Sequence, residues 1–519
     1  MIQNKRYLLF SEKDIAYMKR SGFNVHHVEK QLDMYKKGSP FLKLNRPCRK
    51  NDGILSVTSS KSKRLIDLYE QKSNKYRLMK FVPASGAASR MFGEWFVVLH
   101  NDGLDLTTFS RSFFKKLKQY PFYRLIREHQ QFLNFMEQKN VRHLLNFILS
   151  EQGLNFGGRP KALIPFHLYG DGSMRTALEE HILDAVQYAV GANNTCLLHF
   201  TVSEEHQRDI MKKIKSVKRD GAKGYPAKYK ISVSCQSSST NMMAVDANNL
   251  PARDPAGCLI FRPGGHGALL TNLNKIDADY IFVRNIDNVA PQTVWDKIVP
   301  YRKMMGGLIM QIQEEIYDSI RRLNVARPRL SDIKKIHDFC SRTLNVHFPG
   351  DVKNPLTNDK IKYLFSMLNR PLRVCGMVRN NNEPGGGPFW VEEDDGSLTL
   401  QIVEHAHVDK GNKKQGNIWS DAQYFNPVDM VCSIKDYQGK KFNLSKFVDN
   451  HAYVISLKKE KGRNIKALEM PGLWNGGMAR WNTVFVELPL MVFNPVKVVD
   501  DLLRPEHLIS HPLNDRSVK

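Results

Sequence analysis

Closely spaced cysteines and long apolar runs are both missing from this sequence of 519 residues. The seven cysteines contain no C-x-x-C pair, which argues against a zinc site and a disulfide framework and favours a reducing compartment. No stretch approaches the ~20 apolar residues that a membrane-spanning helix needs, and the first 30 residues lack an apolar core of signal-peptide length. These absences predict a soluble, cytoplasmic protein.

Acidic residues are scarce relative to basic ones. The chain has 77 Lys+Arg and 52 Asp+Glu, so its net charge is 77 − 52 = +25, and residues 1–80 alone hold 19 basic and 7 acidic side chains. Such a balance attracts polyanions: nucleic acid, an anionic membrane or phosphorylated small molecules. The apolar fraction of 42% is that of a globular protein, and the length predicts roughly two to four structural units.

Residues 80–91, KFVPASGAASRM, are the stretch around which the rest is organised. An apolar, strand-like run changes there into small residues, which let backbone N–H groups approach an anion, and the run that follows can begin a helix. Arg90 adds a forked cationic donor that suits phosphate oxygens. We interpret this stretch as a phosphate loop. The alternative is a small-residue turn with Arg90 in solvent.

Strand-like and helix-like patterns alternate through the middle of the chain. Two short helices are predicted within residues 11–38, with Ser11 as N-cap and Gly22 and Gly38 as stops. Further strands are predicted at 196–202, 230–235, 259–262, 280–285, 372–378, 398–403, 452–457 and 484–488, and further helices at 175–190, 204–216 and 294–324. This order predicts an α/β fold whose mixed, mainly parallel sheet has helices on both faces.

The predicted organisation has four parts. They are a basic helical N-terminal extension (1–79), a nucleotide-binding α/β half (80–324) with a helical insertion (91–152), a helical connector (325–370) and a β-rich, sugar-binding half that completes the sheet (371–519). In such sheets ligands bind beyond the carboxyl ends of the strands, where the phosphate loop falls.

Four further motifs carry residues suited to a nucleotide and a sugar phosphate. Lys161 stands before an apolar run, the Gln236 amide suits the edge of a base, the glycines of 262–268 (RPGGHGA) permit close approach of a ligand, and Asp287 follows an apolar strand. Three of these residues have an ordinary alternative role. Lys161 could be a solvated lysine, Asp287 a turn or helix-cap residue, and His266 a residue that bonds only its own loop. Their order around one predicted sheet favours a shared site.

The order and spacing of these motifs resemble those of the nucleotide-sugar pyrophosphorylases, most of all the branch that uses uridine nucleotides. That family has a loop of the form Leu-x-Gly-Gly-x-Gly-Thr-Arg-Met followed by Pro-Lys, and residues 84–91 align with it. Ser85 and Ala88 replace glycines, Ser89 replaces threonine, and 161 − 90 = 71 residues separate Arg90 from Lys161. Residues 263–267, PGGHG, are similar to the family's Pro-Pro-Gly-His-Gly.

The C-terminal half extends this resemblance, which covers about residues 80–505 with gaps. Residues 401–404 look like the family's sugar-contacting Val-Val-Glu, and 493–503 look like its Pro-Val-Lys and Asp-Leu-Leu. Residues 81–92, 261–270 and 471–487 resemble still more closely the bacterial proteins grouped as domain of unknown function 4301 (DUF4301). That family is itself placed by resemblance in the nucleotide-diphospho-sugar transferase fold, which is GT-A-like and Rossmann-like.

The resemblance implies a Mg²⁺-dependent nucleotidyltransferase whose substrates are a nucleoside triphosphate, UTP through Gln236, and a sugar 1-phosphate. Arg90, Lys161 and Lys497 would be catalytic, and Asp287 would hold Mg²⁺ with Asn482 or Asp500 as a second ligand. The implied nucleotide contacts are Ala84, Ser85, Gly86, Ala87, Ser89, Gln236, Gly265, His266 and Gly267. The implied sugar contacts are Asn380, Glu383, Gly386 and Glu404.

Two other functions stay open. A glycosyltransferase of the same fold would use Asp287 and a ready-made nucleotide sugar, without needing Arg90 and Lys161 so placed. A non-catalytic protein that binds sugar nucleotides or polyanions is compatible with the altered loop (Ser85, Ala88) and the charge of +25. Nucleic acid is not the expected partner, because basic residues interleaved with exposed aromatics are only half present in the first 80 residues.

Overall fold

The structure, a computed structural model, describes residues 9–101, 105–129, 135–137, 139–221, 227–347, 358–381, 385–460 and 462–509. The α-helices in these residues are α1 (Glu12–Arg20), α2 (Val25–Lys37), α3 (Ser59–Lys72), α4 (Gly93–His100), α5 (Thr107–Leu117), α6 (Tyr123–Arg127), α7 (Val141–Leu149), α8 (Ala177–Ala185), α9 (Gln207–Ser216), α10 (Leu270–Lys275), α11 (Trp295–Leu323), α12 (Leu330–Arg342), α13 (Asn358–Leu368) and α14 (Lys413–Ser420). None of the helices in this described part is long and apolar enough to cross a membrane.

The strands alternate with these helices. They are β1 (Leu44–Pro47), β2 (Arg49–Lys50), β3 (Gly53–Leu55), β4 (Leu78–Pro83), β5 (Pro165–Leu168), β6 (Met174–Thr176), β7 (Val190–Gly191), β8 (Thr195–Val202), β9 (Lys228–Cys235), β10 (Asn241–Val245), β11 (Phe261–Pro263), β12 (Tyr280–Arg284), β13 (Leu372–Arg379), β14 (Gly387–Glu392), β15 (Leu398–Val403), β16 (Tyr424–Phe425), β17 (Asp429–Ser433), β18 (Val454–Glu460), β19 (Arg463–Glu469) and β20 (Asn482–Glu487). The predicted α/β class is therefore confirmed.

The chain forms two compact units, each built from three segments. Unit 1 comprises Met1–Asp67, Gln236–Ile281 and Met305–Pro489, and unit 2 comprises Leu68–Cys235, Phe282–Met304 and Leu490–Lys519. The prediction of consecutive nucleotide-binding and sugar-binding halves stays a prediction.

Unit 1 contains three groups of paired strands. Strands β3, β20 and β13 run parallel, and β17 pairs antiparallel with β13. The order β11-β10-β19-β18 forms an antiparallel sheet, and β1-β14-β15 forms another. These antiparallel sheets depart from the predicted mainly parallel arrangement.

The N-terminal segment contributes to these sheets. The segment predicted as a helical extension contains α1, α2 and α3, and also β1–β3, because short runs there find strand partners far along the chain, such as Leu44 opposite Val391. Helices α1 and α2 cover the β11-β10-β19-β18 sheet, where Met18 and Leu32 share a buried cluster with Met243 and Leu468.

Unit 2 is organised around parallel strands. Strand β8 pairs in parallel with β4 on one side and β9 on the other, and β12 neighbours β4. Every residue of β4 is buried, as the apolar run at the start of the phosphate loop predicts. The end of this strand positions the site described next.

Candidate functional site

The predicted phosphate loop begins where β4 ends. The Ala84 N–H donates to the Thr201 carbonyl at 2.8 Å, after which the backbone leaves the sheet. In the described part of the chain, the N–H groups of Ser85, Gly86 and Ala87 meet no acceptor. A Cβ built at Gly86 would meet no atom within 4 Å, so the space beside the loop is open. This backbone has the donors that an anion needs.

Lys161 lies against this loop although it follows Arg90 by 71 positions in the sequence. The Lys161 N–H donates to the Gly86 carbonyl at 3.0 Å, and the Ala88 N–H donates to the Arg159 carbonyl at 3.0 Å. These bonds form a short antiparallel bridge between Ala87 and Pro160. The backbone therefore brings the two motifs together, and α4–α7 lie between them in the sequence.

The Lys161 side chain connects the loop to two other predicted residues. Its Nζ donates to the Val496 carbonyl at 2.7 Å and lies 3.5 Å from Asp287 Oδ2. The Val496 N–H donates in turn to the Asp287 carbonyl at 2.9 Å. Burial lowers the pKa of the Lys161 ammonium; Asp287 offsets part of this shift, and nearby Arg90 adds to it. Lys161, Asp287 and the backbone before Lys497 thus form one contact network.

A carboxylate holds the backbone at Lys497. Asp501 Oδ2 accepts from the N–H groups of Lys497 at 2.7 Å and Val498 at 2.8 Å, while its Oδ1 lies 2.7 Å from Arg504 Nη2. The Lys497 ammonium lies 5.6 Å from the centre of the Phe493 ring. Asp501 therefore orients the segment that carries the third predicted catalytic residue.

Both candidates for a second metal ligand, Asp500 and Asn482, already have hydrogen-bond partners within the protein. Asp500 Oδ2 accepts from Lys116 at 2.6 Å and its Oδ1 from Tyr120 at 2.5 Å, while Asn482 belongs to unit 1 and donates to the Leu368 carbonyl at 3.3 Å. The described residues contain no group of three or more His, Cys, Asp or Glu side chains that could hold a metal.

The glycine motif at residues 263–267 lies in unit 1. Gly265 has a φ of 72°, which favours glycine. A Cβ at Gly267 would lie 2.2 Å from the Pro471 carbonyl oxygen, and one at Gly264 would lie 2.7 Å from that of Thr240. Close packing of backbone against backbone therefore explains these glycines, without a ligand.

His266 joins this motif to Glu404, the predicted sugar contact. Its Nδ1 accepts from the Leu473 N–H at 3.0 Å, its ring stacks on Trp474 at 4.4 Å, and its Nε2 lies 3.7 Å from Glu404 Oε1. Burial raises the pKa of Glu404, but the hydrogen bond and charge of His266, together with Asn475 and His407, lower it by more in total, so the pKa lies below the ordinary value. A Cβ at Gly386 would lie 3.5 Å from Glu404 Cγ. His266, Glu404 and Gly386 are therefore neighbours.

Asn380 lines a different opening in unit 1. This cavity has a volume of about 490 Å³, and its walls include Trp419, Tyr424 and His405. The Asn380 N–H donates to the Gln423 carbonyl at 2.9 Å. Sequence reasoning did not identify Trp419 or Trp474, since an isolated tryptophan carries no signal of the cavity or ring it faces.

Ser89 and Arg90 are exposed in the short 3-10 turn Ala88–Arg90, and Gln236 and Glu383 are the other predicted residues. The Gln236 side-chain nitrogen donates to Thr240 Oγ1 at 3.1 Å, within its own turn. Glu383 lies outside the described residues. The seven cysteines form no disulfide, as their spacing predicts.

Several solved structures are similar to this chain at low sequence identity. A candidate UDP-N-acetylglucosamine pyrophosphorylase from Entamoeba histolytica is 13% identical with a TM-score of 0.43, and 87% of this chain aligns with 82% of that one. A Leishmania major UDP-glucose pyrophosphorylase mutant bound to UDP-glucose is 12% identical (TM-score 0.42), and a Trypanosoma brucei UDP-glucose phosphorylase is 13% identical (TM-score 0.43). In both cases 94% of this chain aligns with 77% of the other.

No curated protein matches the chain. Residues 11–508, which include both units' candidate residues, match the family described as Domain of unknown function (DUF4301). The motifs at 81–92, 261–270 and 471–487 that suggested this family lie within that range. Because the match extends over nearly the whole sequence, the chain belongs to the DUF4301 family.

Proposed function

We propose that this protein is a nucleotidyltransferase that joins a sugar 1-phosphate to a nucleoside triphosphate, UTP in the first instance, and releases pyrophosphate. We further propose that its fold is of the nucleotide-diphospho-sugar transferase type. The observation that carries the proposal is the network of Lys161 with the loop, Asp287 and Val496, which gathers separate motifs at the end of a buried strand.

The proposed chemistry needs positioning more than covalent participation. An oxygen of the sugar phosphate attacks the α-phosphorus of the triphosphate, and the bond from this phosphorus to the β-phosphate bridging oxygen breaks as pyrophosphate leaves with the electron pair. In the proposal Arg90 and the loop N–H groups bind the β- and γ-phosphates. Lys497 neutralises the incoming sugar phosphate as two anions meet.

Lys161 is suited to the α-phosphate. An ammonium group has three N–H donors. One donates to the Val496 carbonyl and another side of the group faces Asp287, so donor capacity remains for a phosphate oxygen. The carbonyl and the carboxylate hold the ammonium in place before substrate binds, which lowers the cost of positioning it.

The Asp287 carboxylate is suited to bind the Mg²⁺ ion that accompanies the nucleoside triphosphate. Its carboxylate is a hard oxygen donor with a side chain 22% exposed, and Mg²⁺ in nucleotide sites uses one or two carboxylates together with phosphate oxygens and water. Bound Mg²⁺ would neutralise charge on the phosphates. Asp287 also orients Lys161, a role that needs no metal.

The experiment is a panel of nucleoside triphosphates and sugar 1-phosphates with Mg²⁺, followed by thermal shift and by pyrophosphate release. A nucleotide at about 100 times its Kd adds about 2.7 kcal/mol of stability. Arg90→Gln, Lys161→Gln and Lys497→Gln should each reduce turnover by about 100-fold or more, because each removes a charge at the reacting phosphates. Lys215→Gln, at an exposed position of α9, is the matched control.

Full turnover in Arg90→Gln and Lys497→Gln would refute the proposed roles. Stabilisation by nucleotide sugars alone, with sugar transfer and no pyrophosphate, would favour a glycosyltransferase. Stabilisation by nucleic acid with no response to any nucleotide would refute both enzymatic functions.

A further inference from the structure

Unit 1 contains a second cavity, of about 460 Å³, that the proposed reaction does not use. It lies among α13, the turn between β14 and β15, and the start of β20. No residue that the sequence predicts to bind nucleotide or sugar lines it. Asn482, offered above as a metal ligand, does line it.

Two arginines at this cavity form no ion pair among the residues that the structure describes. Arg370 Nε donates to the Ser366 carbonyl at 3.0 Å, and its two terminal nitrogens meet no acceptor among the residues the structure describes. Burial lowers the pKa of Arg370; Tyr363 and the Glu393 carboxylate oppose this shift, and the like charge of Arg480 adds to it. Arg480 is exposed and forms no ion pair within the described ranges. Two neighbouring cations favour an anion between them.

A buried neutral donor lines the same cavity. Trp481 is 4% exposed, and its Nε1–H has no hydrogen-bond partner in the described chain. An indole N–H is a donor only, and leaving one buried without an acceptor costs about 1–3 kcal/mol. Because Nε1 is buried, a ligand oxygen would accept from it, and remove this cost, only after the indole ring turns toward the cavity.

Carboxylates line the cavity as well. Glu393, Asp394 and Asp395 belong to the β14–β15 turn, where Glu393 Oε1 accepts from Thr399 Oγ1 at 2.6 Å and Asp395 Oδ1 from the Ser397 N–H at 2.9 Å. These bonds hold the turn and leave other carboxylate oxygens able to accept hydroxyl donors. A plain anion would meet repulsion from these groups, so the ligand must also carry donors.

We propose that this cavity binds a small phosphorylated polyol. The phosphate binds Arg370, Arg480 and the Trp481 N–H, and the hydroxyls donate to the carboxylates of the β14–β15 turn. No residue of this site belongs to the loop–Lys161 network. The proposal therefore does not depend on the proposed nucleotidyltransferase activity.

The test is isothermal titration calorimetry of the full chain with fructose 6-phosphate, fructose and inorganic phosphate as probes. Fructose 6-phosphate should bind, and Arg480→Gln and Trp481→Phe should each weaken it about tenfold, the effect of one lost charged or buried hydrogen bond. Arg463→Gln, an exposed arginine of unit 1, is the matched control, and circular dichroism checks that each variant folds.

Arg90→Gln separates this site from the phosphate loop. It should leave the affinity for fructose 6-phosphate unchanged. Binding lost in Arg90→Gln but kept in Arg480→Gln would overturn the proposal, and so would no binding up to about 10 mM, which corresponds to negligible affinity. Inorganic phosphate binding as tightly as fructose 6-phosphate would overturn the role of the hydroxyls.

Discussion

Gly86 and Gly267 come from two glycine motifs that look alike in sequence, yet their surroundings differ. Gly86 has open space where a side chain would go, whereas a Cβ at Gly267 would lie 2.2 Å from the Pro471 carbonyl oxygen. The first glycine is therefore dispensable for packing and the second is not.

This contrast predicts opposite effects of the same substitution. Gly267→Ala should lower the free energy of unfolding by about 2 kcal/mol because of overpacking against backbone, measured by urea denaturation. Gly86→Ala should leave stability unchanged but weaken nucleotide binding about tenfold, since the methyl group would occupy space beside the loop donors. Gly416→Ala, also in open space, is the control. Equal stability losses in Gly86→Ala and Gly267→Ala would contradict this account.

At the scale of single elements, α1 is held at its first turn. The Ser11 hydroxyl accepts from the Asp14 N–H and the Asp14 carboxylate accepts from the Ser11 N–H, a capping box. Arg253 contacts both oxygens of Asp14, at 2.9 and 2.7 Å. The bond from Arg253 is the main cause that lowers the pKa of Asp14 to about 2.

The lowered pKa of Asp14 predicts a pH dependence of stability. Because the folded pKa (about 2) lies below the unfolded value (3.8), the contribution is present above about pH 4 and is lost as the pH falls toward 2. Wild type should exceed Asp14→Asn by about 2 kcal/mol at pH 5 in urea denaturation, and the difference should shrink by pH 2. Asp67→Asn, an exposed carboxylate, should show no such change. A pH-independent difference would argue against the ion pair.

Strand β4 carries a buried charge just before the predicted phosphate loop. Lys80 is fully buried and pairs with Asp184, whose other oxygen accepts from Arg302 Nη1 at 2.7 Å. Burial lowers the pKa of Lys80 to about 7, and Asp184 opposes that shift. The carboxylate thus compensates two buried cations.

Removing this carboxylate should be costly. Asp184→Asn leaves Lys80 and Arg302 buried without a counter-charge, so the free energy of unfolding should fall by about 3–5 kcal/mol in urea denaturation. Glu205→Gln, on the surface of the same unit, should change it by less than about 1 kcal/mol. A loss for Asp184→Asn as small as that of the control would show that the cluster tolerates an unpaired charge.

For the whole molecule, the net charge of +25 predicts weak, salt-sensitive binding to nucleic acid rather than recognition. Affinity for a labelled single-stranded oligonucleotide, measured by fluorescence anisotropy, should fall at least tenfold between about 50 and 200 mM salt, because phosphate contacts release counterions. Two oligonucleotides of different sequence serve as mutual controls. Tight binding that persists at the higher salt would favour the polyanion-binding alternative.

Elements whose signals are local could be predicted from the amino-acid sequence. The Ser11 cap, the buried run before the phosphate loop and the predicted strand at 398–403, matched by β15, all follow from neighbouring residues. It also carried the family motifs in order. Such features need no knowledge of distant contacts, since capping and apolar periodicity act over a few residues.

The contacts between residues far apart in the sequence follow from the three-dimensional fold. It brings Lys161, which follows Arg90 by 71 positions, to the Gly86 carbonyl and to Asp287. It also stacks Trp474 on His266 and places Trp481 in the wall of a cavity. It also showed that the glycines at 264 and 267 serve backbone packing. These relations depend on strand pairing and burial across hundreds of residues, which no local pattern in the chain encodes.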